Sequence, residues 1–140
     1  MKPLQVIYSP RILVFRDSDK YSTVKDWKDC FFVDAIAMAA IRRPKLDTKG
    51  KMSAQDVELT RNKIRMVLRA AHYNGNTALV LGAAGCGAFQ NNPEQIAEAF
   101  KSVLSEAEFK SLFDRITFAV LSDRKNQINF PTFCRVLLDA

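Results

Sequence analysis

The sequence has little of what builds a metal site, a disulfide framework or a membrane span. It contains one histidine and three widely spaced cysteines, with no CxxC pair. An odd number of isolated thiols favours a reducing compartment, so we expect an intracellular protein, cytoplasmic or nuclear. No apolar run approaches the roughly 20 residues that cross a bilayer, and the N-terminus lacks a secretory cleavage pattern. We therefore expect no metal, no cofactor and no membrane partner.

What the chain does contain is ordinary globular composition. Its 140 residues are 48% hydrophobic and 26% charged, which excludes wholesale disorder and collagen-like repeats. A chain of this length buries about 68% of the surface that its unfolded form exposes, enough for a self-sufficient core. We expect a single domain spanning residues 1–140.

The positive charge is concentrated in one segment. Nine basic and three acidic residues lie between Arg42 and Arg69, which accounts for the whole net charge of +6. Such a segment can attract a phosphorylated ligand or a polyanion, although a solvated loop followed by an outer helix face would look the same. Aromatic residues are not interleaved with the basic ones and no recognition helix is evident, so the pattern does not favour nucleic acid as a partner.

The order of elements predicts an α/β fold. Strands are predicted at 4–8, 12–15, 30–36, 77–81 and 115–121, and helices at 53–74, from 93 and at 130–138, with a further helical turn at 105–113. Ser53 with Asp56 predicts a helix N-cap, and Gly75 a C-cap. Asn92 and Gln95 predict a capping box. The apolar strand 77–81 resembles one covered on both faces. Alternating strands and helices indicate a mostly parallel sheet flanked by helices.

A glycine-rich stretch follows the strand at 77–81 and precedes a helix. It consists of Gly82, Ala83, Ala84, Gly85, Cys86, Gly87, Ala88 and Phe89. Small residues let the backbone approach a ligand, and successive N–H groups near a helix N-terminus can hold phosphate. The spacing matches neither a Walker A loop nor the dinucleotide fingerprint. A tight strand-to-helix connection is the alternative interpretation.

The same stretch carries a resemblance to a known family. Residues 79–93, LVLGAAGCGAFQNNP, resemble the signature of the bacterial and fungal type of poly(ADP-ribose) glycohydrolase, a branch of the macrodomain fold. The resemblance extends to Tyr8-Ser9-Pro10 with Val14-Phe15-Arg16-Asp17, and to Phe118-Ala119-Val120. It covers nearly the whole chain but only the C-terminal half of a typical family member, so it implies a macrodomain-like fold truncated at the N-terminal side.

The resemblance assigns a ligand to the glycine-rich stretch. It implies that the backbone amides of residues 82–89 cradle the diphosphate of ADP-ribose, and that Phe89 packs beside the distal ribose. The alternative for Phe89 is an ordinary core phenylalanine. Cys86 has no neighbouring base in the sequence, so we interpret it as a small packing residue and not as a nucleophile.

The chain also departs from the family pattern. Family members carry a double glutamate whose second member protonates the leaving group, and no two glutamates are adjacent here. The catalytic residue is therefore unassigned. The first hypothesis is binding of ADP-ribose, poly(ADP-ribose) or a related nucleotide diphosphate without hydrolysis. The second is a glycohydrolase or ADP-ribosyl hydrolase that is completed by a second polypeptide or by self-association, or that uses another acid such as Asp34. The third is a structural or inhibitory protein-interaction module.

Overall fold

The computed structural model describes residues 4–122 and 127–138. Their elements are β1 (Val6–Val14), a 3-10 turn (Trp27–Asp29), β2 (Phe31–Met38), α1 (Ala54–Tyr73), β3 (Ala78–Leu81), α2 (Pro93–Leu104), β4 (Arg115–Phe118) and α3 (Asn129–Leu138). The predicted α/β class is confirmed. None of the helices in these two ranges has the length and apolarity needed to cross a membrane.

The strands form two pairs. β3 and β4 are parallel, with Ala78 opposite Arg115, and α2 connects them, as the alternating pattern predicted. β1 and β2 are antiparallel, with Val6 opposite Met38. The described strands thus form one parallel and one antiparallel pair, which corrects the expectation of a mostly parallel sheet. The reason is that the first two strands are joined without a helical crossover long enough to bring the chain back parallel.

β1 replaces the two short strands predicted at 4–8 and 12–15. The strand continues through Pro10 because the register shifts between Ser9 and Ile12, and a bulge tolerates a residue that has no N–H. At this shift Arg11 adopts a positive φ of 54°, and its N–H donates to Asp34 Oδ1 over 2.8 Å. A side chain of β2 thus satisfies a backbone donor that the ladder leaves out.

The helix α1 begins and ends as predicted. The Ser53 side chain accepts a hydrogen bond from the Asp56 N–H over 3.1 Å, and Gly75, just beyond the end, adopts a φ of +79°. Ile64, Leu68 and Ala71 are buried on one stripe of the helix.

At the start of α2 only half of the predicted capping box forms. The Asn92 side chain accepts from the Gln95 N–H over 3.0 Å. The Gln95 side chain instead binds the backbone of Met52: the Met52 N–H donates to Gln95 Oε1 over 2.6 Å, and Gln95 Nε2 donates to the Met52 carbonyl over 3.2 Å. The second half of the capping box does not form, because the Gln95 side chain instead satisfies the backbone N–H and C=O of the buried residue Met52.

The core lies between the helices and one face of the second strand pair. Phe100 and Phe118 meet edge to face with their ring centroids 5.2 Å apart. On β3 the side chains of Leu79 and Leu81 pack against this core, whereas Val80 is 75% exposed. The prediction that this strand is covered on both faces is therefore wrong, because none of the described elements packs over the Val80 face.

Two elements that were predicted in the C-terminal part differ from those in the structure. Residues 105–111 form consecutive turns and not a helix, although Phe109 within them is buried in the core. The last strand ends at Phe118 and not at Leu121, because the pairing with β3 ends there.

Candidate functional site

Two loops meet at one edge of the molecule. The loop that follows β2, residues 39–53, is called the basic loop, and the loop that follows β3, residues 82–91, the glycine-rich loop. The Arg43 N–H donates to the Phe89 carbonyl over 2.8 Å. Asn91 Nδ2 donates to the Ile41 carbonyl over 2.7 Å and to the Gly85 carbonyl over 3.0 Å. The carboxyl ends of strands are where open α/β sheets place their ligands.

Gly85 is the residue on which the shape of the glycine-rich loop depends. Its φ is +75°, and a Cβ added to it would lie 2.4 Å from Asn91 Nδ2 and 2.9 Å from Ala40 Cβ. Asn91 itself is only 4% exposed. The loop is therefore locked against the basic loop by a buried amide that only glycine leaves room for. Asn91 was missed by the sequence interpretation, because nothing local distinguishes it from the neighbouring Asn92.

The backbone amides of the glycine-rich loop fall into two sets. Four of them donate inside the loop, over 2.9 to 3.1 Å: those of Ala84, Cys86, Gln90 and Asn91. Six others donate to no acceptor within residues 4–122 and 127–138: those of Gly82, Ala83, Gly85, Gly87, Ala88 and Phe89. The second set leaves hydrogen-bond donors available for an anion, since most of these N–H groups belong to exposed residues and have no partner within the protein.

The side chains of the glycine-rich loop are better suited to contact with a ligand than to nucleophilic catalysis. Phe89 is 37% exposed and lies outside the core, so its interpretation as an ordinary core phenylalanine is wrong. A Cβ at Gly87 would meet nothing within 4 Å. Burial raises the pKa of the Cys86 thiol to about 12, which leaves it protonated and a poor nucleophile. This agrees with the packing role expected for Cys86.

The basic segment 42–69 divides into two parts. Three arginines of α1 are held by glutamates: Arg61 by Glu58 at 3.3 Å, Arg65 by Glu106 at 2.7 Å and Arg69 by Glu108 at 2.6 Å. The arginines in turn hold the pKa of Glu58 and of Glu108 below the usual range. The helical part of the segment is therefore neutralised, largely by acids that lie outside the segment in sequence.

The basic loop keeps its charge. Its cations Arg42, Arg43, Lys45, Lys49 and Lys51 are exposed and form no ion pair with any residue that the structure describes. The one acid of this loop, Asp47, accepts the N–H groups of Lys49 and Lys51 at 2.8 and 2.9 Å and so shapes the turn. The positive potential of the segment is thus focused beside the glycine-rich loop.

Asp34 is a hydrogen-bonded structural carboxylate. It accepts from the Tyr8 hydroxyl and from the Arg11 N–H, and Asn76 Nδ2 donates to the Tyr8 oxygen over 3.2 Å. The Tyr8 hydroxyl, followed by the Arg11 N–H, lowers the pKa of Asp34, so the group is ionised at neutral pH and has no proton to donate. These contacts give Asp34 a role in joining β1 to β2, and they lend no support to the hypothesis that it replaces the family's acid.

Two cavities form one continuous cleft between β2 and β3. The first, of about 540 Å³, contains Tyr8 and Asp34 and reaches Leu81, but it is lined by none of residues 82–89. The second, of about 310 Å³, continues past Val80 to Gly82, Ala83 and Ala84. Its lining is apolar and includes no carboxylate among the described residues. Asp34 thus lines the first cavity, whereas only the second cavity reaches the glycine-rich loop.

Solved structures share this fold. The chain is similar to the poly(ADP-ribose) glycohydrolase of Deinococcus radiodurans in complex with ADP-ribose, with a TM-score of 0.80 and 31% identity over 96% of this chain and 52% of that one. The enzyme of Thermomonospora curvata gives 0.81 and 30% over 94% and 47%, and its complex with the inhibitor ADP-HPD gives 0.79 and 30% over 93% and 48%. No family model and no curated protein matches the sequence.

These similarities confirm the resemblance that the glycine-rich stretch predicted. The chain has the macrodomain-like fold of bacterial poly(ADP-ribose) glycohydrolases. It spans about half the length of the solved structures that it matches, in agreement with a resemblance to the C-terminal half alone.

Proposed function

We propose that this chain binds the diphosphate of ADP-ribose, free or at the end of poly(ADP-ribose), through the glycine-rich loop. One observation carries the proposal: six of the ten N–H groups of the glycine-rich loop, among them those of Gly85, Gly87, Ala88 and Phe89, have no acceptor in the described residues. The same fold occurs in glycohydrolases that were solved with ADP-ribose and with an inhibitor.

The chemistry of the loop suits a diphosphate. Backbone amides bind phosphate oxygens without bringing a bulky side chain between ligand and chain, and the contact from Asn91 keeps them in place before the ligand arrives. Residues 82–89 form the cradle, and the half-exposed ring of Phe89 covers one side of the distal ribose. The unpaired cations of the basic loop attract the anionic ligand to this edge.

The proposal includes binding without hydrolysis by the isolated chain. Cleavage of a glycosidic bond needs a carboxylic acid beside the leaving group, and such an acid contributes about 100- to 10,000-fold. Asp34 is ionised and lies away from the loop. Four of the five glutamates are paired with arginines: Glu58, Glu94, Glu106 and Glu108. None of the described carboxylates lines the cavity that adjoins the loop.

Isothermal titration calorimetry with ADP-ribose tests the binding. Gly87→Val adds a branched side chain in open space, so we expect the fold to survive and the affinity to fall at least about tenfold, because the new side chain stands where the ligand approaches. Ala107→Val, at an exposed turn on another part of the surface, is the control and should bind normally. Unchanged affinity in a folded Gly87→Val protein would remove the loop from the site, and absence of binding by the parent chain would favour an interaction module.

A turnover assay on poly(ADP-ribose) tests the absence of hydrolysis. We expect no detectable release of ADP-ribose from the 140-residue chain. Activity that Asp34→Asn abolishes would contradict the structural role of that carboxylate. Activity that appears only when a second polypeptide is added would favour a completed enzyme over a binding module.

A further inference from the structure

The cleft between β2 and β3 is bordered by two strand edges. Among the described strands β2 pairs only with β1, and β3 only with β4. Both Phe32 and Val33 of β2 line the cleft, as do all residues 78–81 of β3. Successive side chains of a strand point to opposite faces, so a cavity that touches neighbouring residues borders the edge of the strand and not one face alone. Two rows of backbone N–H and C=O groups therefore face the same gap.

The gap is lined mainly by apolar side chains, with Tyr8, Asp34 and Asn76 as its polar members, and it is open to solvent. Val80 is 75% exposed, Phe32 54% and Val33 40%, although all three lie within strands. Val67 and Ala71 of α1 line the bottom of the gap. Contiguous exposed apolar surface of this kind marks an interaction site, and open strand edges favour an added strand over a compact ligand.

We propose that the cleft between β2 and β3 accepts a β-strand from a polypeptide segment outside these 140 residues. The inserted strand pairs with β2 on one side and β3 on the other, and so joins the two strand pairs into one sheet. β3 has four residues, which at about 3.3 Å per residue calls for an inserted strand of about 13 Å. Its side chains are apolar where they meet Val67 and Ala71 below and Phe32 and Val80 above.

The occupant belongs to a complementary half of the fold. The solved structures that share these elements are about twice as long as the aligned region, so in them further chain accompanies the same framework. A second copy of this chain fits less well, since each copy carries a net charge of +6 and two copies repel each other. The proposal does not depend on ADP-ribose, because the free amides of Gly85, Gly87, Ala88 and Phe89 lie outside the lining of the cleft.

The test uses the part of the Deinococcus radiodurans glycohydrolase that the similarity does not cover. We would fuse this probe to the N-terminus of the 140-residue chain through a flexible Gly/Ser linker, because tethering supplies millimolar effective concentration and detects weak pairing. Hydrogen exchange of 31–38 and 78–81 should slow at least about tenfold relative to the untethered chain. The two polypeptides mixed as separate chains should form a 1:1 complex in light scattering after size exclusion.

Two substitutions show whether the cleft is responsible. Val80→Asp places a charge in the gap and should abolish the protection and weaken the complex at least about tenfold. Val24→Asp changes a valine that is 59% exposed outside the cleft and should change neither. Gly87→Val should leave the complex intact while it lowers ADP-ribose affinity, so failure of the binding proposal and failure of this one are distinguishable.

Two outcomes would overturn the proposal. One is the absence of added protection in 31–38 and 78–81 even in the tethered protein. The other is a homodimer of the chain alone that Val80→Asp converts to monomer, since the occupant would then be a second copy.

Discussion

Gly85→Ala should destabilise the protein much more than a glycine substitution at a similar backbone conformation elsewhere. Gly85 and Gly75 have φ values of +75° and +79°, so an alanine at either position costs about 1 kcal/mol in left-handed backbone strain. At Gly75 the added Cβ meets nothing within 4 Å, so this backbone strain should be the whole loss in the free energy of unfolding.

At Gly85 a second cost arises from packing. The Cβ would lie 2.4 Å from Asn91 Nδ2, so the amide must move and lose its hydrogen bonds to the Ile41 and Gly85 carbonyls. Each bond is worth about 1 kcal/mol net. The expected loss is therefore about 3 kcal/mol for Gly85→Ala against about 1 kcal/mol for Gly75→Ala.

Urea unfolding followed by circular dichroism measures both losses, with the m-value showing whether unfolding stays two-state. The double variant Gly85→Ala with Asn91→Ala provides a thermodynamic cycle: once the amide is absent, the cost of Gly85→Ala should fall by about 2 kcal/mol, which leaves the backbone strain and the contact with Ala40 Cβ at 2.9 Å. Equal losses for the two single variants, or a double variant in which the two costs simply add, would refute the clash between Gly85 and Asn91.

Three further outcomes follow from the side chains described above. With its pKa near 12, Cys86 should react with iodoacetamide at pH 8 on the order of 1,000-fold more slowly in the folded chain than in denaturant, where thiols have ordinary pKa values of about 8.5. The rates are measured by mass spectrometry of the labelled peptide, and equal rates in the two states would contradict the burial of the thiol. The hydrogen bond between Tyr8 and Asp34 raises the pKa of Tyr8 above 10.0 and lowers the pKa of Asp34 below 3.8. The stabilisation that this bond provides should therefore be lost as the pH rises through the pKa of Tyr8, and also as the pH falls through the pKa of Asp34. Tyr8→Phe should flatten the measured pH dependence of unfolding at both ends, and a variant that keeps the parent profile would contradict the pairing. If the proposed ligand is polymeric, Lys45→Ala should reduce the slope of the logarithm of poly(ADP-ribose) affinity against the logarithm of salt concentration by about 0.7. Arg61 is ion-paired, so Arg61→Ala should leave this slope unchanged. Identical slopes for the two variants would exclude a special role of the basic loop.

Local features of this protein were determined by the sequence itself. The cap at Ser53, the left-handed Gly75 and the N-terminus of α2 at Asn92 and Pro93 were all predictable, because each depends on groups within three or four residues along the chain. The buried stripe of α1 followed from helical periodicity for the same reason. The glycine-rich loop was also visible as a pattern, and its resemblance to the glycohydrolases extended to the fold.

Only the tertiary structure decided which groups meet across long stretches of chain. Gln95 binds Met52 and Arg65 binds Glu106, over separations of 43 and 41 residues, because α1 packs against α2 and the turns after it. The pair between Arg61 and Glu58 is local, but the sequence does not indicate that Arg65 and Arg69 meet Glu106 and Glu108, so the division of the basic segment could not be predicted. The ionised state of Asp34 depends in the same way on tertiary structure, because the pairing of β1 with β2 brings Tyr8 to it. The exposure of Val80 on β3 likewise depends on the absence of a covering element among the described residues. Capping energies depend on neighbours in sequence, whereas burial and charge pairing depend on which elements pack together, and that arrangement exists only in the folded chain.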